Sequence, residues 1–231
     1  MSMFAALEVY RDIGSRSATL NMAIDEALLE TANHPAIRFY RWNRPAISFG
    51  YFGKFADVEN YSSQHDIVRR WTGGGIVFHG EDLTYSIVIP ASDPAFGESP
   101  MSIYEKVHRT ICETFSASGQ TVAALYERRP EINSEVIDRR YKRDACFANP
   151  VKADVMVDGK KIAGAAQRRT RRGLLQQGSI QDVDLPEGFE ISFASQLSDN
   201  YGHKTLDDRI LTRAREIADR KYATSAWIRR R

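Results

Sequence analysis

Apolar residues recur every three or four positions in three segments of this chain, which is the spacing of an amphipathic helix. The three segments are residues 17 to 33, 101 to 118 and about 205 to 221. In the second segment Ile103, Val107 and Ile111 fall on one face, and Cys112 lies beside that face. We therefore predict three helices, the second of which places Cys112 in the core or at its flank.

Shorter stretches alternate apolar and polar residues or are apolar throughout, as strands do. They are residues 36 to 42, 47 to 52, 67 to 71, 76 to 79, 83 to 90, 153 to 157, 160 to 168 and 174 to 180. Asp158-Gly159 is typical of a hairpin turn, and Gly173 predicts a second turn. Because the strands follow one another with few helices between them, we predict an α+β fold with a mixed, largely antiparallel sheet flanked by helices.

Composition limits the class of protein. The 231 residues are 42% hydrophobic, enough for a substantial core in one large domain or two small ones. The sequence has no long apolar run and no N-terminal signal-peptide pattern. Cys112 and Cys146 are the two cysteines, too few for a disulfide framework. We therefore expect a reduced, cytoplasmic protein that does not bind a membrane.

The charge is unevenly distributed along the chain. The net charge of +2 argues against a dedicated nucleic-acid-binding protein. Residues 160 to 172 nevertheless contain six basic and no acidic side chains, and residues 229 to 231 are all arginine. Such a basic face suits an acidic protein partner or an anionic substrate. A solvated surface is the alternative. The highly charged residues 127 to 143 predict an irregular surface excursion.

The most informative short motif runs from Arg69 to Gly75 and has the sequence Arg-Arg-Trp-Thr-Gly-Gly-Gly. Glycine has no Cβ, so the run can adopt positive φ and let a ligand approach the backbone. Successive N–H groups then form a nest for a carboxylate or phosphate oxygen, with Arg69 and Arg70 beside it. A plain glycine-rich hairpin turn is the alternative for this run taken alone.

Several separated motifs together resemble the biotin/lipoate protein ligase family. The motifs are the run from Arg69 to Gly75 with His79, Asp82, Leu83, Tyr85 and Ser86, and residues 21 to 29, 38 to 50 and 154 to 180. They occur in the family's order over residues 18 to 180, which makes the resemblance specific. It implies the class II synthetase-like catalytic-domain fold of this family, which includes lipoate–protein ligases and lipoyl- and octanoyltransferases.

The resemblance also implies which residues form the site. Alignment through Lys161-Ile-Ala-Gly-Ala-Ala places the family's lysine at Lys161, where an ammonium group can hold an acyl carbonyl or a phosphate. A solvated hairpin lysine is the alternative, and Lys160 should point to the opposite face. The implied substrate-binding residues are Arg70, Thr72, Gly73, Gly74, Gly75, His79, Asp82, Tyr85, Gly164 and Ala165, with no metal ligand. For His79 a strand-end histidine, and for Asp82 a turn cap, are the alternatives.

The acyl group itself needs an apolar pocket. Eight carbons bring about seven methylene or methyl groups, each worth about 0.8 kcal/mol when buried. Trp71, Val77 and Tyr85 suit the walls of such a pocket, although any core would use the same residues. Gly53 stands where members of the family often have a glutamine, and Gln176 and Gln177 stand where many have one or two histidines. These departures leave the exact substrate open.

Cys146 separates two mechanisms within the family. Its context, Ala145-Cys146-Phe147 before Pro150, resembles that of the cysteine-dependent octanoyltransferases. A transferase holds the acyl group as a thioester, needs a thiolate that Lys161 would stabilise, and requires no cofactor. A ligase activates lipoate with ATP and Mg and does not need the cysteine. A small buried apolar residue is the third interpretation of Cys146.

The resemblance implies an acyltransferase that moves octanoyl or lipoyl through Cys146 to a lysine of a lipoyl carrier domain. The carrier would be a 2-oxoacid dehydrogenase E2 or a glycine cleavage H protein, with acyl carrier protein as a possible donor. About fifty residues follow Ile180, too few for the accessory domain of stand-alone ligases, so we expect one catalytic domain over residues 1–231. The alternatives are the catalytic chain of a two-part, ATP-dependent lipoate–protein ligase and a non-catalytic module that binds an acyl carrier.

Overall fold

The computed structural model describes residues 2–119, 123–124, 154–157 and 160–230. The helices are α1 (Ala18–Thr31), α2 (Pro100–Ala117), α3 (Phe189–Leu197), α4 (Asp208–Ile217) and α5 (Ser225–Ile228). The strands are β1 (Leu7–Arg16), β2 (Ala36–Trp42), β3 (Ala46–Phe49), β4 (Asp66–Arg69), β5 (Val77–His79), β6 (Leu83–Pro90), β7 (Ala123–Ala124), β8 (Val155–Val157), β9 (Lys160–Arg169), β10 (Gly173–Ile180) and β11 (Tyr201–Lys204). Cys146, residues 127 to 143 and the Asp158-Gly159 turn lie outside the described residues.

Eight of these strands form one sheet in the order β11-β1-β2-β6-β10-β9-β8-β7, and the other three form a small sheet in the order β4-β3-β5. In the large sheet β1 is parallel to β11 and to β2, and the remaining pairs are antiparallel. β6 and β10 pair along their whole length, from Leu83 opposite Ile180 to Pro90 opposite Gly173. The predicted α+β fold with a largely antiparallel sheet is confirmed.

Helices bury a separate core on each face of the large sheet. α2 and α3 pack on one face, where Phe115 and Phe193 belong to the same apolar cluster as Tyr85 of β6. α1 and α4 pack on the other face, where Ile24 and Ile210 share a cluster with Val88 of β6. Successive residues of a strand point to opposite faces, so β6 supplies side chains to both cores. No helix in the described part of the chain is long and apolar enough to cross a lipid bilayer.

Most predicted elements appear within a few residues of their expected bounds. The helix predicted over residues 17 to 33 begins after Ser17, whose side chain accepts a hydrogen bond from the Leu20 N–H, as a helix cap does. The strand predicted over residues 47 to 52 ends at Phe49, because Gly50 turns there against another loop. Cys112 is buried in the core, as predicted. β1, α3 and β11 were not predicted, since their apolar spacing is short or irregular.

A buried ion pair connects α1 to the sheet. Asp25 of α1 and Arg38 of β2 are both fully buried, and their Oδ1 and Nη1 atoms lie 2.8 Å apart. Asp25 also accepts hydrogen bonds from Ser86 at 2.7 Å and from Tyr40 at 3.1 Å. Burial, followed by the charge of Asp25, raises the pKa of Tyr40 well above its ordinary value. The phenol therefore stays protonated and serves only as a donor to Asp25.

Arg38→Met should reduce the free energy of unfolding by about 3–5 kcal/mol, because it leaves the Asp25 carboxylate buried without its cation. Arg229→Met is the matched control, since Arg229 and Glu59 form an ion pair at 3.0 Å with both side chains about half exposed. That control should lose less than about 1 kcal/mol. Guanidinium denaturation of both variants measures the difference, and equal losses would contradict a central role for the buried pair.

Candidate active site

A narrow apolar cavity opens between the two sheets and the glycine-rich loop. It holds about 370 Å³ of empty space including its mouth, of which about 30 Å³ admits the centre of a water molecule. The cavity is therefore a slot that suits a slender chain. Its walls are formed by Met22, Tyr40, Trp42, Ser48, Arg70, Val77, His79, Thr84, Gly164, Ala165, Ala166, Gln177, Gly178 and Ser179.

The glycine-rich loop is held by Arg70, whose guanidinium donates to the carbonyl oxygens of Gly73 at 3.0 Å and Gly75 at 2.8 Å. Gly74 has φ = +83°, which favours glycine. A Cβ on Gly50 would lie 2.7 Å from the carbonyl carbon of Gly73, so the loop packs directly on the backbone at the end of β3. Because Arg70 neutralises two carbonyl dipoles, an anion that reaches the loop meets less negative charge.

A chain of hydrogen bonds fixes Arg70 in turn. Arg70 donates to Ser48 Oγ at 2.7 Å, and Ser48 Oγ lies 2.6 Å from His79 Nε2. His79 Nδ1 lies 2.8 Å from the Oδ2 atom of Asp82. An ionised Asp82 accepts a hydrogen bond from the Nδ1–H group, which leaves Nε2 to accept a hydrogen bond from the Ser48 hydroxyl. The Trp42 ring stacks on His79 with centroids 4.1 Å apart and fixes the imidazole plane.

Asp82 is the charged end of this chain. Its Oδ2 atom accepts hydrogen bonds from Thr84 at 2.8 Å and Ser179 at 2.7 Å as well as from His79. Burial by itself would raise the pKa of Asp82, but His79 and the hydroxyl donors outweigh it and lower that pKa to about 2. Asp82 therefore stays ionised at neutral pH and holds the imidazole in place.

Lys161 is buried beside the cavity wall. Its Nζ atom lies 2.8 Å from Asp154 Oδ2, and a Cβ on Gly164 would lie 2.6 Å from that nitrogen. Only glycine at position 164 therefore leaves room for the ammonium group. Tyr104 of α2 donates a short hydrogen bond to the other oxygen of Asp154. Lys160 is exposed and pairs with Asp182 at 3.0 Å, so the prediction that it points away from Lys161 is confirmed.

Gln177 joins the cavity to the buried ion pair. Its amide oxygen accepts a hydrogen bond from Thr72 at 2.8 Å, and its amide nitrogen donates to Asp25 at 2.7 Å. Thr72 directly precedes the glycines, so the loop is tied through one side chain to the Asp25–Arg38 pair. Sequence reasoning noted Gln177 only as a departure from the family and did not assign it this role.

The structure brings most of the predicted site residues together. Arg70, His79, Gly164 and Ala165 line the cavity. Six further predicted residues are hydrogen-bonded to the lining residues or lie beside them: Thr72, Gly73, Gly74, Gly75, Asp82 and Lys161. Tyr85 and Cys146 are the two exceptions. Cys146 lies outside the described residues.

Tyr85 does not line the cavity. It is fully buried on the opposite face of β6 and packs on Phe193, with ring centroids 5.6 Å apart. Its ring lies against the space where a Cβ on Gly178 would be. Alternation along β6 explains the placement, because Thr84, its neighbour, takes the position that faces the cavity.

Two contributors to the site were missed from the sequence, Ser48 and Asp154. Each is a polar residue in or beside an apolar strand segment and is fully buried. A polar residue in such a strand needs a buried partner, and that was the available signal. In the part of the chain that the structure describes, no group of three or more His, Cys, Asp or Glu side chains is arranged to hold a metal ion.

Comparison with known sequences gives a consistent set of relatives. The profile of the lipoyl protein ligase A/B catalytic domain matches residues 17–221. Octanoyltransferase LipM of Staphylococcus aureus is 35% identical over 187 residues, covering 77% of this chain and 67% of that protein. Octanoyltransferase LipM of Geobacillus kaustophilus is 39% identical over 194 residues, covering 79% of this chain and 68% of that protein.

Solved structures show the same fold at low sequence identity. Lipoate-protein ligase A bound with ATP superposes with a TM-score of 0.72 and 22% identity, covering 98% of each chain. The protein Ta0514 of T. acidophilum with bound lipoic acid has a TM-score of 0.71 and 22% identity, covering 97% of this chain and 98% of that one. At this identity the likeness establishes the fold.

Asp82→Asn should lower the free energy of unfolding at pH 7 by about 2 kcal/mol, because the native pKa of about 2 lies below the ordinary 3.8. A carboxylate whose pKa falls on folding stabilises the protein above its ordinary pKa. That contribution disappears as the pH drops from about 4 to about 2, so the difference between wild type and variant should shrink over this range. Guanidinium denaturation from pH 7 to about pH 2 measures it. Asp57→Asn, at an exposed position, should show no such trend.

Proposed function

Since the chain belongs to the lipoyl protein ligase A/B catalytic domain family, we propose that it is an octanoyltransferase of protein lipoylation. It moves an octanoyl group to a lysine of a lipoyl carrier domain. The substrate moiety is octanoate or lipoate, and the transfer requires no ATP. The LipM relatives, at 35% and 39% identity, support the transferase over the ligase.

The slot beside Lys161 is the structural observation that carries this proposal. An acyl chain is slender and apolar and needs a narrow apolar cavity, whereas its carbonyl needs donors at one end. Arg70 lies at the wall of this slot, and the glycine-rich loop that it holds packs beside the lining residue Ala166. The Lys161 ammonium lies beside Gly164. Thr72, His79 and Asp82 hold these groups through the hydrogen bonds described above.

The chemistry that we propose has two acyl transfers. The Cys146 thiolate attacks the thioester carbonyl of an octanoylated acyl carrier protein, and the carrier leaves as its thiol after taking up a proton. The amine of the carrier-domain lysine then attacks the Cys146 thioester and forms the amide, releasing one proton and the Cys146 thiolate. Lys161 and the loop N–H groups stabilise the oxyanion in both steps.

The carrier would be a 2-oxoacid dehydrogenase E2 or a glycine cleavage H protein in the cytoplasm. An ATP-dependent ligase that works with a second chain is the alternative, because a structural neighbour with this fold binds ATP. Under that alternative, lipoate and ATP-Mg would yield lipoyl-AMP and pyrophosphate, and Cys146 would be dispensable. A non-catalytic acyl-carrier-binding module would show neither reaction.

Incubation with octanoyl-acyl carrier protein should add one octanoyl group to the protein, labile to hydroxylamine and absent from Cys146→Ala. Intact-protein mass spectrometry measures the adduct. Cys112→Ala is the matched control and should keep it, because burial raises the pKa of the Cys112 thiol to about 11. An adduct on Cys146→Ala, or no adduct together with lipoate-dependent pyrophosphate release, would overturn the transferase.

Gly164→Ala should lower kcat for octanoyl transfer about tenfold or more, because the new Cβ would lie 2.6 Å from Lys161 Nζ and displace it. The loss should not add to that of Lys161→Met in the double variant, since both changes remove the same ammonium group. Gly202→Ala, with open space around its Cβ position, is the control. Additive losses would show that Gly164 acts independently of Lys161.

A further inference from the structure

Cations and aromatic rings alternate on the surface next to the glycine-rich loop. Lys221 Nζ lies 4.1 Å from the Trp71 ring centroid, and the Arg168 guanidinium lies 5.4 Å from the same ring. Arg168 is also 4.9 Å from the Tyr51 ring, and Arg230 is 4.7 Å from it. Contacts of this kind hold a guanidinium in place without neutralising its charge.

Lys221, Arg168 and Arg230, the cations that contact these rings, differ in the acidic side chains that they face. Lys221 pairs with Glu26 at 2.6 Å. Among the residues that the structure describes, no ion pair or side-chain hydrogen bond is recorded for Arg168 or Arg230. Within the described residues, neither guanidinium group faces a carboxylate.

Two other arginines of the basic segment are used within the fold. Arg169 donates to the carbonyl oxygens of Phe96 and Glu98, and Arg172 faces Glu30 at 3.4 Å. Arg171 is exposed in the turn between β9 and β10. Arg168 is the arginine of this segment that contacts the Tyr51 and Trp71 rings, and the C-terminal segment adds Arg230.

Phe52 lies next to Tyr51, the ring that Arg168 and Arg230 contact, and its side chain is 84% exposed. Its ring packs edge-on against Tyr51, with centroids 5.0 Å apart. The backbone on either side of it is fixed, because Arg69 donates to the carbonyl oxygens of Tyr51 at 2.8 Å and Gly53 at 2.7 Å. An aromatic side chain that is exposed on a fixed backbone is ready to bind a partner at low entropic cost.

The remaining donors of Arg69 anchor the C-terminal segment to the same loop. They bond the carbonyl oxygens of Trp227, Ile228 and Arg230 at 2.7 to 3.0 Å. All five guanidinium donors are thus engaged, and Arg230 is held beside Tyr51.

We propose that Tyr51, Phe52, Arg168 and Arg230, here called the Phe52 platform, dock the acyl-accepting carrier domain through an acidic surface that surrounds its target lysine. The proposal rests on the proposed transferase function. Charge complementarity supports the proposal, because Arg168 and Arg230 face no carboxylate of the described residues and lie beside the exposed ring of Phe52.

The position of the platform favours the acceptor over the acyl donor. The Tyr51 N–H donates to the Thr72 carbonyl at 2.8 Å, so the platform adjoins the loop that borders the cavity. A lysine side chain reaches only about 6 Å from its Cα, judged from standard bond lengths. The acceptor must therefore dock at the rim of the cavity, whereas a donor delivers its acyl chain on a longer prosthetic arm.

The test separates the two half-reactions. Phe52→Ser and the double variant R168E/R230E are compared with wild type and with Arg209→Glu, an exposed arginine of α4 as control. The double variant should raise the KM for an apo lipoyl domain about tenfold or more and leave kcat unchanged. The rate of adduct formation from octanoyl-acyl carrier protein should stay at the wild-type value. Added salt should raise the KM of wild type more than that of the double variant.

A titration of the ¹⁵N-labelled apo lipoyl domain with unlabelled enzyme, followed by NMR, measures docking without turnover. If wild type binds the domain, the double variant and Phe52→Ser bind it weakly and Arg209→Glu binds normally, the platform is established even if no acyl transfer is found. Unchanged binding and KM in the platform variants would overturn it. A loss confined to adduct formation would assign the platform to the donor and likewise overturn the proposal.

Discussion

The buried ion pair between Asp25 and Arg38 is the constraint on which the site depends. An ion of this kind is tolerated in a core only when every lone pair finds a donor. Arg38, Tyr40, Ser86 and Gln177 supply those donors and come from three strands of the large sheet. Because Gln177 also accepts the Thr72 hydroxyl, the requirement to satisfy Asp25 also fixes the start of the glycine-rich loop.

A second buried carboxylate, Asp82, fixes the other end of the same loop. It orients His79, which with Ser48 holds the guanidinium of Arg70 against the loop carbonyl groups. The loop is thus fixed from two sides by buried polar groups that are hydrogen-bonded to one another. Groups that are positioned before a substrate arrives need no reorganisation when charge develops on an acyl carbonyl. Such preorganisation is what an acyl-transfer site requires, and it uses ordinary core interactions.

The cations of this protein differ in the groups that they face within the fold. Lys161 and Arg172 face carboxylates, and Arg169 donates to backbone carbonyl groups. Arg168 and Arg230 instead contact aromatic rings, and neither faces a carboxylate of the described residues. The basic segment that appears uniform in the sequence therefore has several different roles, because each side chain meets a different environment in the fold.

The sequence by itself determined the fold class and most of the helices and strands. Local spacing and turn chemistry are sufficient for these, since they depend on near neighbours in the chain. The motif positions from Arg70 to Asp82 and around Lys161 followed from the resemblance to the ligase family. Only the tertiary structure decided that Tyr85 faces the core, that Gly164 makes room for Lys161, and that Ser48, Asp154 and Gln177 join the site. These assignments depend on sheet register and on which buried polar groups meet, and pairings between residues far apart in the chain leave no periodic signal in one sequence.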